Sequence, residues 1–316
     1  MTGRQPNIFV FLPQNKKDIS ELYGFPAADS SEIARRHRRQ DRCPFLQSRC
    51  TKVDRRNRPT GVCTVFNAGI GETIICPNRF YFDGYAVLQH VASDAFGLSG
   101  SILHPSQFRA HETKSAIVAL GHRFGKEVRI ALPGRAKRRR QFYTDWVLAR
   151  IGDTCALAEF VGVEVQSIDT TGNYRACRRA YMAERLKVPA SQHGLNWENV
   201  NKRILPQIIF KANVLQREEL CQKGLYVILP ETVYHRILER LGGELEEYPA
   251  GRGAVTFLRY ALKAEANSGR VREVEGIAVS RTAVGRIAER FTTARDLPTP
   301  RLFEREIRRT LGLAEN

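Results

Sequence analysis

The chain has no long hydrophobic run. Nothing in it approaches the roughly 18–20 apolar residues that a membrane-spanning helix needs. The short apolar stretch at 8–12 has neither a full hydrophobic region nor a small-residue cleavage site, so it does not read as a secretion signal. The expected location is the cytoplasm. Internal repeats and low-complexity tracts are also missing, which argues against a solenoid. Acidic residues are in short supply: 33 Asp and Glu face 50 Lys and Arg, a net charge of +17. Such an imbalance points to a polyanionic partner, with nucleic acid ahead of a membrane surface. Hydrophobic residues make up 42% of the 316, enough for a folded core.

Three regions follow from the pattern. Residues 1–105 are rich in turn-forming residues and carry four of the seven cysteines. They read as an irregular N-terminal region with one short helix near 30–42, capped by Ser30 or Ser31. Residues 106–245 alternate helix and strand: a helix at 112–124, strands at 127–132, 142–151 and 155–168, and a basic helix at 172–188. A helix at 199–218, kinked or split by Pro206, a strand at 223–230 and a helix at 232–243 closed by Gly242 complete the order. That order implies an α/β fold around a mixed central sheet. Residues 246–316 read as a basic helical extension.

The strand at 155–168 contains FVGVEVQSID. Val161, Val163 and Val165 alternate as a core face does, with a bulge expected at Gly162. Glu164 and Gln166 share the opposite face. If this strand pairs antiparallel with the preceding one through the turn at 152–154, Asp145 lies across from Glu164. Two carboxylates meeting on a sheet repel unless a cation sits between them. Mg²⁺ suits such a site because it takes oxygen ligands in octahedral geometry. The plainer reading is that both carboxylates simply face solvent on a half-exposed sheet.

These residues resemble a known family. YTDWV followed by VGVEVQSID resembles the PD-(D/E)xK nuclease core, with Gln166 where most members carry Lys. Together with FGKEVRIALP and NWENVNKRILPQIIFKANVLQRE, the pattern over about 110–235 is similar to the NotI-type restriction endonucleases, which share the Gln variant. The resemblance implies a Mg²⁺-dependent type II restriction endonuclease. It would act as a homodimer on palindromic, GC-rich double-stranded DNA, with a cognate DNA methyltransferase in the same system. It also implies that Asp145 and Glu164 bind Mg²⁺ and that Gln166 orients the attacking water or a phosphate oxygen. A neutral amide cannot act as a cation, so more charge stabilisation then falls to the metal. Glu127 is a candidate fourth member, or equally a solvated charge beside Lys126.

Cys43, Cys50, Cys63 and Cys76 are separated by six, twelve and twelve residues, unlike the tight pairs of a zinc ribbon. They are either small buried residues or a tetrahedral Cys₄ site. The resemblance implies the latter, a structural site holding iron, with zinc as the alternative. His37 and His90 flank the group as possible substitutes for a cysteine; Cys155, Cys177 and Cys221 read as ordinary buried residues. Basic clusters at 34–42, 134–140 and 175–187 are candidate DNA-facing surfaces. The segment 276–297 has a weak helix-turn-helix pattern. The alternative reading of the whole chain is a metal-stabilised nucleic-acid-binding protein without nuclease activity. A repair or homing nuclease on the same core is a third.

Overall fold

The computed structural model describes residues 8–10, 13–54, 56–97, 101–131, 141–172, 174–293 and 299–313. The whole basic cluster 134–140 lies outside them. A four-stranded sheet lies near the N-terminus, built from β1 (Lys17–Leu22), β2 (Phe25–Pro26), β3 (Val62–Asn67) and β4 (Gly71–Ile74). Helix α1 (Glu32–Arg39) follows β2, and its Ser31 hydroxyl accepts the Ala34 N–H as an N-cap. Helix α2 (Phe82–Phe96) ends the region. The first 105 residues are therefore more regular than their turn-rich composition suggests.

A mixed seven-stranded sheet forms the centre. Its strands in chain order are β5 (Ile102–Leu103), β6 (Ala116–Gly121), β7 (Trp146–Ile151), β8 (Leu157–Val165), β9 (Leu225–Pro230), β10 (Ala254–Leu262) and β11 (Val274–Ala283). Across the sheet they run in reverse, from β11 to β5. Strands β6, β7 and β8 form an antiparallel meander, and β8, β9 and β10 are parallel. The crossover from β8 to β9 carries α3 (Arg175–Met182) and α4 (Leu205–Leu215); α5 (Glu231–Leu241) and α6 (Val284–Thr292) follow β9 and β11. A last helix, α7, covers Leu302–Leu311. The protein is thus α/β, with helices flanking a mixed sheet. Among the described residues no helix is long and apolar enough to cross a membrane.

Several expectations are corrected. The segment 112–124 is not a helix; Ala116–Gly121 is an interior strand. Ile117, Leu120 and Phe124 have helical spacing, but Ile117, Val118 and Ala119 are buried consecutively, as in a strand covered on both faces. Gly121 permits the close approach of β7, since a Cβ there would fall 2.5 Å from the Trp146 ring. The strand expected at 127–132 shrinks to Ile130–Ala131, paired with Gln141–Phe142. The C-terminal stretch is not a helical extension. Two of its segments, β10 and β11, complete the central sheet, and β11 occupies the first half of the supposed helix-turn-helix. No bulge occurs at Gly162; the register irregularity falls between Arg150 and Ile151. Pro206 splits its helix as expected, with a π-helical turn (Val200–Ile204) before α4. Gly242 closes α5 with φ 80°.

A buried ion pair ties the N-terminal sheet to the rest. Arg79 donates to Glu21 Oε1 at 2.9 Å and to the Arg272 carbonyl, and Thr64 donates to Glu21. Arg272 in turn grips Glu72 through two hydrogen bonds of 2.6 and 2.8 Å. Burial pushes the Glu21 carboxyl up and the Arg79 charge pulls it back. Removing one member of such a pair leaves the other charged and desolvated. Glu21→Gln is expected to cost about 3–5 kcal/mol in chemical denaturation. The double change Glu21→Leu with Arg79→Met is expected to recover most of that loss.

Candidate active site

Strand β8 sorts its residues as its alternation predicts. Val161, Val163 and Val165 pack with α2 residues such as Leu88 and Val91 on one face of the sheet. Glu164 points to the other face, towards α4, and is only 2% exposed. Trp146 pairs with Val163, so Asp145 sits one step further along, opposite Glu164. The two residues are clasped reciprocally. The Asp145 N–H donates to Glu164 Oε1 at 3.1 Å, and the Val165 N–H donates to Asp145 Oδ2 at 2.9 Å. Gln166 is held by its own N–H on the Ile228 carbonyl at 2.8 Å, and its carboxamide donates to Glu164 Oε2 at 3.3 Å. The expected trio of Asp145, Glu164 and Gln166 is therefore brought together.

A fourth member comes from α4. Lys211 Nζ lies 2.5 Å from Glu164 Oε1 and 5.5 Å from the centre of the Tyr143 ring. Gly162 allows this. A Cβ on Gly162 would fall 2.5 Å from Leu215 Cδ1, so the bare backbone lets α4 lie close. Leu215 is one helical turn from Lys211, just as Gly162 is one same-face step from Glu164. Sequence reasoning missed Lys211. Its signal was present: Arg203, Gln207 and Lys211 recur every fourth residue, and all three line the same cleft.

That cleft has a volume of about 450 Å³ and is walled on one side by the core and on the other by Thr51, Lys52, Cys76 and Asn78. Burial, then the neighbouring Asp145, push the Glu164 carboxyl up to about 7, while Lys211 opposes them. Burial likewise raises Asp145, with Val165 N–H, Lys211 and Arg123 acting the other way. Glu127 is near enough to raise Asp145 further, but it lies outside the cleft lining and its carboxylate pairs with Arg129 at 2.5 Å. It is a neighbour of the site, paired with Arg129.

Cys43, Cys50, Cys63 and Cys76 are all buried, and Cys76 is near enough to each of the other three to raise its thiol. The Cys63 thiol hydrogen-bonds Cys76, which together with the Lys52 charge and the N–H groups of Asn78 and Arg79 lowers Cys76 to about 6. Burial raises Cys43 to about 11. As the side chains stand, no group of three or more His, Cys, Asp or Glu among the described residues is arranged to hold a metal. His37 contacts the Arg42 carbonyl and His90 the Tyr260 hydroxyl. Cys177 and Cys221 are buried as expected, and Cys155 only partly so.

The raised Glu164 carboxyl makes metal-free stability pH-dependent. The folded state holds this proton more tightly than the unfolded chain does. Its contribution is full below the ordinary value of 4.5 and is lost as pH rises through about 7. In chelator this fall is expected between about pH 4.5 and 7, read as the difference in thermal denaturation between the wild type and Glu164→Gln, because Cys76, lowered to about 6, acts in the opposite sense. Glu164→Gln is expected to flatten that fall, by an amount on the order of a few kcal/mol. No protein-family model and no curated protein matches the chain, which leaves this geometry as the guide to its chemistry.

Proposed function

We propose that the chain is a Mg²⁺-dependent nuclease of double-stranded DNA, with a PD-(D/E)xK core and the character of a NotI-type type II restriction endonuclease. The observation that carries this reading is the clasped pair Asp145 and Glu164, met by Lys211 and Gln166 in one cleft. The donor set fits a hard divalent cation. Two carboxylates of adjacent strands, both pushed up by burial and Glu164 also by repulsion from Asp145, have one ammonium between them. Asp145 and Glu164 would hold the ion. Bound there beside a phosphodiester, Mg²⁺ supplies a water of lowered pKa and neutralises charge on the leaving oxygen.

The chain's own groups do the rest. Lys211 supplies the fixed positive charge that Gln166 lacks, and from α4 its ammonium can turn from Glu164 to a non-bridging phosphate oxygen. Gln166 orients its neighbours through a carboxamide that both donates and accepts. The Lys211 side chain is largely buried and lies over the Tyr143 ring, which strengthens its field. A homodimer acting on a GC-rich palindrome, with a methyltransferase protecting the host, belongs to the same reading. So does an iron or zinc site at Cys43, Cys50, Cys63 and Cys76, supported by their burial and by the nearness of Cys76 to the other three. Cys76 lies on the cleft wall, so such a metal would brace the active site itself.

Incubation with plasmid DNA and Mg²⁺ is expected to give discrete fragments; DNA that is bound but stays intact would favour a binding protein instead. Asp145→Asn and Glu164→Gln are expected to abolish cutting while duplex binding persists. Lys211→Met is expected to lower the single-turnover rate by about 10²–10³-fold. Gln166→Lys is expected to retain cutting. Undiminished activity in Asp145→Asn or Glu164→Gln would remove the catalytic assignment. For the cysteines, elemental analysis is expected to find about one iron or zinc per chain, lost in Cys63→Ser. Less than half an equivalent in the wild type would count against that site.

A further inference from the structure

A second cavity of about 1080 Å³ adjoins the cleft, and the two share Lys52 and Ile75 in their walls. The chain runs from one to the other. Residues 164–167 and Asp169 line the cleft, and Thr170, Thr171 and Gly172 line the second cavity. Its other walls are α3 and the loop between Arg49 and Thr60. Seven Lys and Arg side chains line it, against two carboxylates, Asp41 and Asp54. Both carboxylates are already engaged. Asp54 is held by Arg58 at 3.0 Å and Arg175 at 3.3 Å. Asp41 accepts from the Tyr23 hydroxyl and lies 3.8 Å from Arg178. Arg49, Arg56 and Arg179 are exposed, and their side chains make no hydrogen bond or ion pair among the described residues.

We infer that this basic groove holds the phosphate backbone of the same DNA duplex that enters the cleft, a few nucleotides away from the bond that is cut. The inference rests on the nuclease reading for what lies in the cleft, and on charge and continuity for the groove. Unengaged arginines beside engaged carboxylates give a surface with cations to spare, which matches a polyanion rather than a mixed-charge protein face. Position sets the register. From Glu164 to Thr170 an extended chain covers at most about 20 Å, or about six base pairs of duplex. Lys52, between the two cavities, would meet the backbone midway. The cluster on α3 thus acquires a place on the DNA, close to the cut and on one side of it.

Binding of a 30-base-pair duplex, followed by fluorescence anisotropy in EDTA at several salt concentrations, tests this without any cleavage. The variant Arg49→Ala/Arg56→Ala/Arg179→Ala is expected to make the slope of log K against log salt shallower by about 2–3, since each lost phosphate contact removes about 0.9. A control variant, Lys114→Ala/Arg217→Ala/Arg305→Ala, removes three exposed cations that line neither cavity. It is expected to keep the wild-type slope. An unchanged slope in the groove variant, or an equal change in both variants, overturns the inference. Failure of the wild type to cut plasmid would sink the nuclease reading while leaving this result standing.

Discussion

Asp145 and Glu164 face each other at the ends of two adjacent strands, and each accepts an N–H from the other's strand. The Asp145 N–H reaches Glu164, and the Val165 N–H reaches Asp145. These bonds continue the ladder of β7 and β8 with side chains in place of carbonyls. They also hold two carboxylates closer than their charges favour. Burial raises the proton affinity of both, the Asp145 charge raises Glu164 further, and the Lys211 ammonium from α4 opposes these shifts. The charge that Lys211 leaves unbalanced is what the Mg²⁺ of the proposed function would neutralise.

The surrounding structure serves that pair. The valine face of β8 is anchored against α2, so the strand cannot rotate to relieve the repulsion. Gly162 lets α4 come close enough for Lys211 to arrive. Gly121 lets β6 and β7 seat Trp146 directly beside Asp145. The N-terminal region contributes a wall of the cleft. Cys76, Pro77 and Asn78 line the cleft, and Arg79, next in the chain, is pinned by Glu21 and the Arg272 carbonyl. One cysteine of the four, two further cleft-lining residues and the arginine of the buried ion pair are thus successive residues, 76 to 79. A disturbance of the cysteines has a direct route to the carboxylates.

Charge is distributed with the same economy. Carboxylates near the basic groove are neutralised locally by Arg58, Arg175 and Arg178, which leaves other arginines exposed. In the cleft, Lys52, Arg203 and Lys211 face Asp145, Glu164 and Asp169 in equal number, and Lys211 sits on the clasped carboxylates. The proposed function assigns a polyanion to the groove and a divalent ion to the clasped carboxylates beside it.

The sequence by itself determined the pairing of Asp145 with Glu164. A strand's two-residue period and a short turn at 152–154 leave few other registers, because slipping by one would put the valines in the cleft. It also determined the convergence of Gln166, the helices at 30–42 and 232–243, and the split at Pro206. All of these are local rules. Tertiary structure alone decided that 116–121 is a strand, since burial on both faces erases the alternation that distinguishes strand from helix. It decided that 254–283 returns to the sheet, a pairing between segments far apart in sequence. It also decided which lysine serves the site. Lys211 is 47 residues from Glu164, and only the packing of α4 over Gly162 makes them neighbours. Periodicity marks the face of an element, whereas contact across a sheet depends on how elements dock, and that is settled by the shape of the whole core.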